Sequence, residues 1–129
     1  MSIYDEVLLS VISLMKTVEL DGSIYIGALP PDNALSVSWG STEYSPFVNK
    51  TTAAVELTAV FNGKSTDENL LSEKMGKIHQ HLSQLTEYPV TENYQITNIQ
   101  TVSVPTLIGR EENDQILYGS SLEVKFYLK

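Results

Sequence analysis

The first twenty residues carry apolar side chains at steps of three and four, which is the spacing of an amphipathic helix. These side chains belong to Ile3, Val7, Leu8, Val11, Ile12, Met15 and Val18. Ser2 is a suitable N-cap, and we expect the helix to end at Asp21-Gly22 because glycine adopts the left-handed C-cap conformation at no steric cost. The pattern predicts a helix that packs on the core. A membrane-surface helix is the alternative, which is disfavoured because Lys16 is the only basic residue of this stretch.

The same spacing returns after residue 65. Its apolar positions are Leu71, Met75, Ile78, Leu82 and Leu85. Ser65 and Glu68 are spaced as a capping box, and we expect the helix to end at Tyr88-Pro89. The stripe predicts a second helix that packs on the core, with a short coiled-coil seam as the alternative.

Five other segments alternate apolar and polar residues, as half-buried strands do. They are residues 23–29, 35–40, 53–61, 94–104 and 116–128. In the first strand, Ile24 and Ile26 are expected on one face. Asn62-Gly63 is expected to turn the chain after the third strand, and Pro105 to end the fourth. In that strand the apolar alternation changes from even-numbered to odd-numbered positions between residues 96 and 99, which predicts a β-bulge or a strong twist.

The last strand has the clearest pattern. One face is predicted to carry Ile116, Tyr118, Leu122, Val124, Phe126 and Leu128, and the other Glu123, Lys125 and Tyr127. The order is therefore helix, three strands, helix, two strands. It predicts one α+β domain over residues 1–129, in which two helices cover a mainly antiparallel sheet of about five strands.

The composition excludes several functional classes. The chain has no cysteine, so disulfides, thiolate metal sites and cysteine nucleophiles are absent. Sixteen acidic residues against eight basic ones give a net charge of −8, and Arg110 is the only arginine. Because nucleic-acid binding depends on basic contacts, we expect no specific DNA binding. The apolar runs are short, and neither a membrane-spanning segment nor a signal peptide is predicted.

Residues with catalytic or metal-binding chemistry form no recognisable motif. The chain lacks a glycine-rich phosphate loop, a GxSxG elbow and an HExxH helix. His79 and His81 lie two positions apart on the second predicted helix, so their side chains diverge by roughly 200° and cannot share a metal ion from that helix alone. We interpret both as boundary histidines satisfied by water or a neighbour. No catalytic residue, cofactor site or metal site is predicted.

The last third of the chain carries a recognisable series of residues. It consists of Gly109-Arg110-Glu111-Glu112 after a strand, then Tyr118, Ser120-Ser121 and the alternating strand Leu122 to Leu128. This series resembles the small tail-completion or "minor capsid" proteins of long-tailed bacteriophages. The order of elements over the whole chain also resembles the tail-terminator fold.

The resemblance implies a structural component of the virion tail and neck, made in the host cytoplasm and without enzymatic activity. It implies a homo-hexameric ring that caps the tail tube and joins the tail to the head-neck. The implied partners are other copies of the chain, the tail tube protein and a head-neck completion protein. DNA would pass through the ring without being bound specifically.

Two connections are expected to make the contacts of assembly, because aromatic groups and long ordered loops are frequent at interfaces. The predicted contact residues are Tyr44, Phe47 and Val48 in the first connection, and Leu107, Ile108, Arg110, Glu111, Glu112 and Asp114 in the expected loop of residues 106–115. Two other functions stay open. One is a small acidic protein-binding module or inhibitor without catalysis, and the other is an enzyme whose site is built from dispersed residues.

Overall fold

A computed structural model describes residues 2–18, 24–27, 29, 33–40 and 53–129. Its elements are α1 (Ile3–Met15), β1 (Ile24–Ile26), β2 (Ala34–Trp39), β3 (Ala53–Ser65), α2 (Glu68–Ser83), β4 (Tyr94–Arg110) and β5 (Ile116–Leu128). Two helices and an open, mostly antiparallel sheet of five strands make an α+β fold. The predicted fold class and order of elements are confirmed.

The five strands are ordered β1-β2-β3-β5-β4, so β1 and β4 are the two edges. β1 pairs parallel to β2, and the other three pairings are antiparallel. The centre of the sheet is the long pair of β3 and β5, which runs from Ala53 opposite Leu128 to Ser65 opposite Ile116. β2 joins β1 to this pair, whereas each edge strand has a single neighbour.

The hydrophobic core lies between the helices and one face of the sheet. The predicted stripe of α2 is confirmed, since Leu71, Met75, Ile78 and Leu82 are buried and Leu85 packs against the core. At the centre of the sheet, the core face is formed by alternate residues of β3 and β5: Val55, Leu57, Ala59, Phe61, Leu122, Val124 and Phe126. Because burial follows the alternation, the face assigned to each of these strands is correct.

Both helices are shorter than expected. Ser2 caps α1 as predicted and accepts from the Asp5 N–H at 3.2 Å. The helix ends at Met15, however, and the expected end at Asp21-Gly22, which lies outside the described residues, is wrong. The predicted capping box of α2 is also wrong, because Ser65 is the last residue of β3.

Asp67 caps α2 instead. Its carboxylate accepts from the Leu70 N–H at 3.1 Å, while the Ser65 hydroxyl accepts from the Asp67 N–H at 3.0 Å. The helix then ends at Ser83, with Gln84 as C-cap, and not at Tyr88-Pro89.

Two predicted ends of strands are wrong. β3 continues through the expected turn, where Gly63 pairs with Leu35 on one side and Tyr118 on the other. A Cβ at Gly63 would lie 2.6 Å from Leu71 Cδ1 and 2.9 Å from Leu35 Cδ2, so any side chain there would force these leucines to move. β4 continues past Pro105, which an edge strand tolerates because one side of its ladder has no partner.

The irregularity predicted in β4 is confirmed. The register with β5 shifts between Ile96 and Asn98 and again at three later points. In β1 the expected face is only half correct, since Ile24 is buried whereas Ile26 is exposed.

Candidate functional site

The far half of the β4–β5 hairpin, residues 102–118, is here called the outer arm. The sequence predicts a long loop at residues 106–115, but β4 continues to Arg110 and only residues 111–115 form the turn. This turn is closed by hydrogen bonds from the Glu111 N–H to the Gln115 carbonyl at 2.8 Å and from the Asp114 N–H to the Glu111 carbonyl at 3.1 Å. Asp114 adopts a φ of 63°, a left-handed conformation that aspartate tolerates better than most residues. The expected loop is therefore mostly strand.

The tip of the outer arm is fixed to the body of the protein. The buried Gln115 accepts through Oε1 from the Asn33 N–H at 3.0 Å. Glu111 forms an ion pair with Lys64 of β3, with 2.6 Å between Oε1 and Nζ. The tip consequently presents a defined surface.

The outer arm is also linked to the start of α2. The Tyr118 hydroxyl donates to Glu68 Oε1 at 2.8 Å. This hydrogen bond to the carboxylate is the main reason that the pKa of Tyr118 is raised above its ordinary value.

The edge of the outer arm exposes four large apolar side chains. They are Val102, Val104, Leu107 and Ile108, with exposed fractions of 58%, 66%, 53% and 61%. We call them the β4 edge patch. In the sequence no charged residue stands between Glu92 and Arg110. Exposed edge strands are commonly protected by charged residues, and contiguous exposed apolar side chains mark interaction sites. The β4 edge patch is therefore the best candidate contact surface among the described residues.

The predicted contact residues fall into four groups. Leu107 and Ile108 belong to the β4 edge patch, and Arg110, Glu112 and Asp114 are exposed at the adjoining tip. Glu111 is half-buried and pairs with Lys64 within its own chain. Tyr44, Phe47 and Val48 lie outside the described residues. All the predicted contact residues within the described chain therefore lie at the same end of the β4–β5 hairpin.

Sequence reasoning missed two members of the patch, Val102 and Val104. They belong to a segment whose alternation predicts a strand with one buried face. The available signal was the absence of charge over residues 93–109 in a chain with a net charge of −8. A stretch that is apolar and uncharged, but is covered by no helix, is suited to a contact with another protein.

A buried polar cluster lies beside the outer arm and superficially resembles a catalytic pair. The Nε2 atom of His79 lies 2.7 Å from the Ser120 hydroxyl, and its Nδ1 atom lies 2.8 Å from the Thr101 hydroxyl. Ser120 donates its own proton to the Phe61 carbonyl at 3.0 Å, so it accepts from Nε2–H of the histidine. The serine proton is therefore not held by the histidine, as it is in a nucleophilic pair.

The same geometry gives this cluster a structural role. Thr101 occupies the position at Nδ1 where a catalytic triad has a carboxylate. Both His79 and Ser120 are buried. Because burial disfavours the charged imidazolium, the pKa of His79 is lowered from its ordinary value of 6.5. His79 is thus a neutral bridge that joins α2 to β4 and β5.

The other histidine is satisfied by a neighbour, as expected. His81 Nε2 lies 2.6 Å from the Thr17 hydroxyl, which connects the last turn of α2 to the residues after α1. In the described part of the chain, no group of three or more His, Asp or Glu side chains has the arrangement needed to hold a metal ion. The described helices include none that is long and apolar enough to span a bilayer.

Two comparisons with known proteins found likenesses. A model of the bacteriophage tail terminator protein family matches residues 11–128. Among solved structures, a chain in the virion of a native gene transfer agent particle superposes with a TM-score of 0.67 at 11% sequence identity, covering 92% of each chain. At this identity the likeness shows a shared fold alone. No curated protein sequence matches the chain.

Proposed function

Because the chain belongs to the bacteriophage tail terminator family and is a structural protein of the phage tail, we propose that it forms a six-membered ring that caps the tail tube and joins the tail to the head-neck. The observation that carries this proposal is the β4 edge patch. It is exposed and uncharged, and it is held on a hairpin whose tip is fixed to the body. A surface of this kind is suited to contact with another protein rather than to chemistry on a small molecule.

The size of the chain is compatible with a ring. A domain of 129 residues has a radius of gyration near 14 Å, so an equivalent sphere is about 36 Å across. Six such spheres in contact leave a central hole of about the same width, whereas three leave about 6 Å. A hexamer therefore has room for a DNA duplex in its lumen, and a trimer does not.

The proposed partners are other copies of the chain, the tail tube protein and a head-neck completion protein. The proposed location is the tail and neck of the virion, after synthesis in the host cytoplasm. DNA passes through the ring without specific binding, because a net charge of −8 repels the duplex. We propose no catalysis and no cofactor, since the one serine–histidine contact described has a structural arrangement.

Purified tail tubes test the proposal. We expect rings at tube ends in negative-stain images when the protein is added, and tubes that stop growing at the capped end. The control is Leu70→Glu, which adds a charge at an exposed position of α2 and not on either edge strand, and it should still cap tubes. Tubes that elongate and stay bare in the presence of the protein would contradict the proposal. A chain that also stays monomeric would favour the small acidic binding module.

A further inference from the structure

Resting on this proposed function, we infer that neighbouring copies in the ring meet head-to-tail through opposite edges of their sheets. The β4 edge patch of one copy packs against the exposed side chains of β1 in the next. The occupant of the β4 edge is thus a second copy of this chain. The other surfaces of the ring stay available for the tail tube and the neck.

The β1 edge has the same character as the β4 edge. Tyr25 and Ile26 are 46% and 48% exposed, and we call them the β1 edge patch. In the sequence no charged residue stands between Asp21 and Asp32. The described sheet therefore has two edge strands, and each combines exposed apolar side chains with a stretch of sequence that has no charged residue.

The overall charge favours a second copy over another class of partner. Two chains of net charge −8 repel each other, and the repulsion is weakest where the facing surfaces carry no charged group. Juxtaposed like charges disfavour an interface, whereas a basic partner is drawn to acidic surfaces. Two copies of this acidic chain can therefore approach each other most closely where both surfaces are apolar and uncharged.

The register of the sheet places the two patches at about the same position along the strand direction. Leu35 pairs with Ile24 of β1 and with Gly63 of β3. Gly63 pairs with Tyr118 of β5, which pairs with Leu107 of β4. A single row across the sheet thus begins in β1 and ends in the β4 edge patch.

The neighbouring row repeats this relation, since it connects Tyr25 to Thr106 through β2, β3 and β5. One copy can therefore contact the next without a shift along the strands. A head-to-tail contact with such a shift tends to build a helical filament, whereas one without it can close into a ring.

The direction of the strands also permits this contact. β1 runs parallel to β2, and three successive antiparallel pairings follow, so β1 and β4 run in opposite directions. Pro105 lacks an N–H, and the register of β4 shifts between Ser103 and Thr106, so a long continuous ladder is disfavoured there. We therefore assign the contact mainly to the apolar side chains of the two patches.

Charge insertion at each edge tests this inference. Val104→Glu alters the β4 edge patch, Ile26→Glu alters the β1 edge patch, and Leu70→Glu is the matched control with an exposed fraction of 45% on α2. In mass measurements we expect hexamers for the wild type and the control, and monomers for each edge variant alone. An equimolar mixture of the two edge variants should give heterodimers, because such a pair retains one intact junction.

Cysteine cross-linking provides a test that does not depend on adding charge, since the chain has no cysteine of its own. A chain that carries both Val104→Cys and Ile26→Cys should give, after oxidation on tail tubes, a ladder of covalent oligomers that ends at six. The single variants should each stay uncrosslinked. Strong homodimers of Val104→Cys alone would indicate a two-fold contact between β4 edges and overturn the inference.

The failure of this inference is distinguishable from failure of the proposed function. Hexamers that persist in both edge variants, or rings that give no cross-link, would overturn the head-to-tail contact while the capping function stands. Tubes that the wild type leaves uncapped would overturn the capping function itself.

Discussion

The two halves of β4 have similar apolar patterns and opposite surroundings. In the first half, Ile96 and Ile99 are buried in the core. In the second half, Val102 and Val104 are among the most exposed large apolar side chains described. The two halves share one strand and one partner, β5. The difference therefore comes from what covers the strand and not from the strand itself.

The path of α2 explains the difference. Near its start, Leu71 approaches Gly63 and Leu35, so its first turns lie over β2 and β3. Further along, His79 bonds to Thr101 of β4, and after the helix the Tyr88 hydroxyl contacts Asn98 at 3.4 Å. The helix thus crosses the sheet and reaches β4 only at its first half. Thr101 marks the boundary between the half of β4 that packs in the core and the half whose side chains are exposed.

The largest expected effect comes from truncating the covered half. Ile99→Ala should lower the free energy of unfolding by about 2–5 kcal/mol, because it removes buried methylene groups and leaves a cavity. Val104→Ala is the matched control, since its side chain is 66% exposed. Chemical denaturation of both variants measures the difference. Equal losses of stability would contradict the division of β4 into two halves.

A smaller effect is expected at the boundary. His79→Leu removes the bridge between Thr101 and Ser120 and leaves the threonine hydroxyl without its imidazole partner. We expect a loss of about 1–3 kcal/mol in the free energy of unfolding, since buried polar groups are costly when they lose a partner. His81→Leu is the control, because its bond to Thr17 is exposed. If both substitutions cost the same, the bridge does not determine the boundary.

Acidification should lower the free energy of unfolding through His79, by a smaller amount than its substitution. The pKa of His79 is lowered in the folded protein by burial, so the unfolded chain binds more protons once the pH falls below the ordinary value of 6.5. Stability then falls as the pH decreases from 6.5 towards the lowered folded value, and it is retained above 6.5. Thermal melts of the wild type and His79→Leu across this range measure the contribution. A pH dependence that is identical in the two proteins would contradict it.

The smallest effect on stability is expected in the uncovered half. Val104→Thr removes apolar character at a site that is exposed, so the free energy of unfolding should change by no more than about 0.5 kcal/mol. The same variant should form rings less readily, because an apolar contact between copies is weakened. Comparing the melting temperature with the hexamer fraction separates the two effects. A large loss of stability with normal assembly would reverse the roles assigned to the halves of β4.

Several features of the fold follow from local pattern. The alternation in β5 predicts its buried face correctly, because successive side chains of a strand point to opposite faces in any sheet. The stripe of α2 is equally well determined, since its spacing matches the helical repeat. Likewise Ser2 caps α1 through a contact with Asp5, only three residues away. Each of these features depends on neighbours in the chain.

Other features were decided by tertiary contacts. Asn62-Gly63 has the composition of a turn, but pairing with β2 and β5 on both sides keeps it in β3. Residues 106–110 lie between a proline and the mostly charged residues 111–114, as a loop would, but pairing with β5 extends β4 to Arg110. A turn signal is a local preference of about 1 kcal/mol, and several ladder hydrogen bonds together exceed it.

The sequence by itself determined which residues are apolar, which faces they share and that the chain carries one arginine and a net charge of −8. Only the tertiary structure decided that β4 is an edge strand and that α2 covers its first half alone. The physical reason is that an alternating pattern predicts which face of a strand is apolar, but not which element packs against that face. For Val104 and its neighbours, no helix of the described chain provides that cover, and their side chains remain exposed.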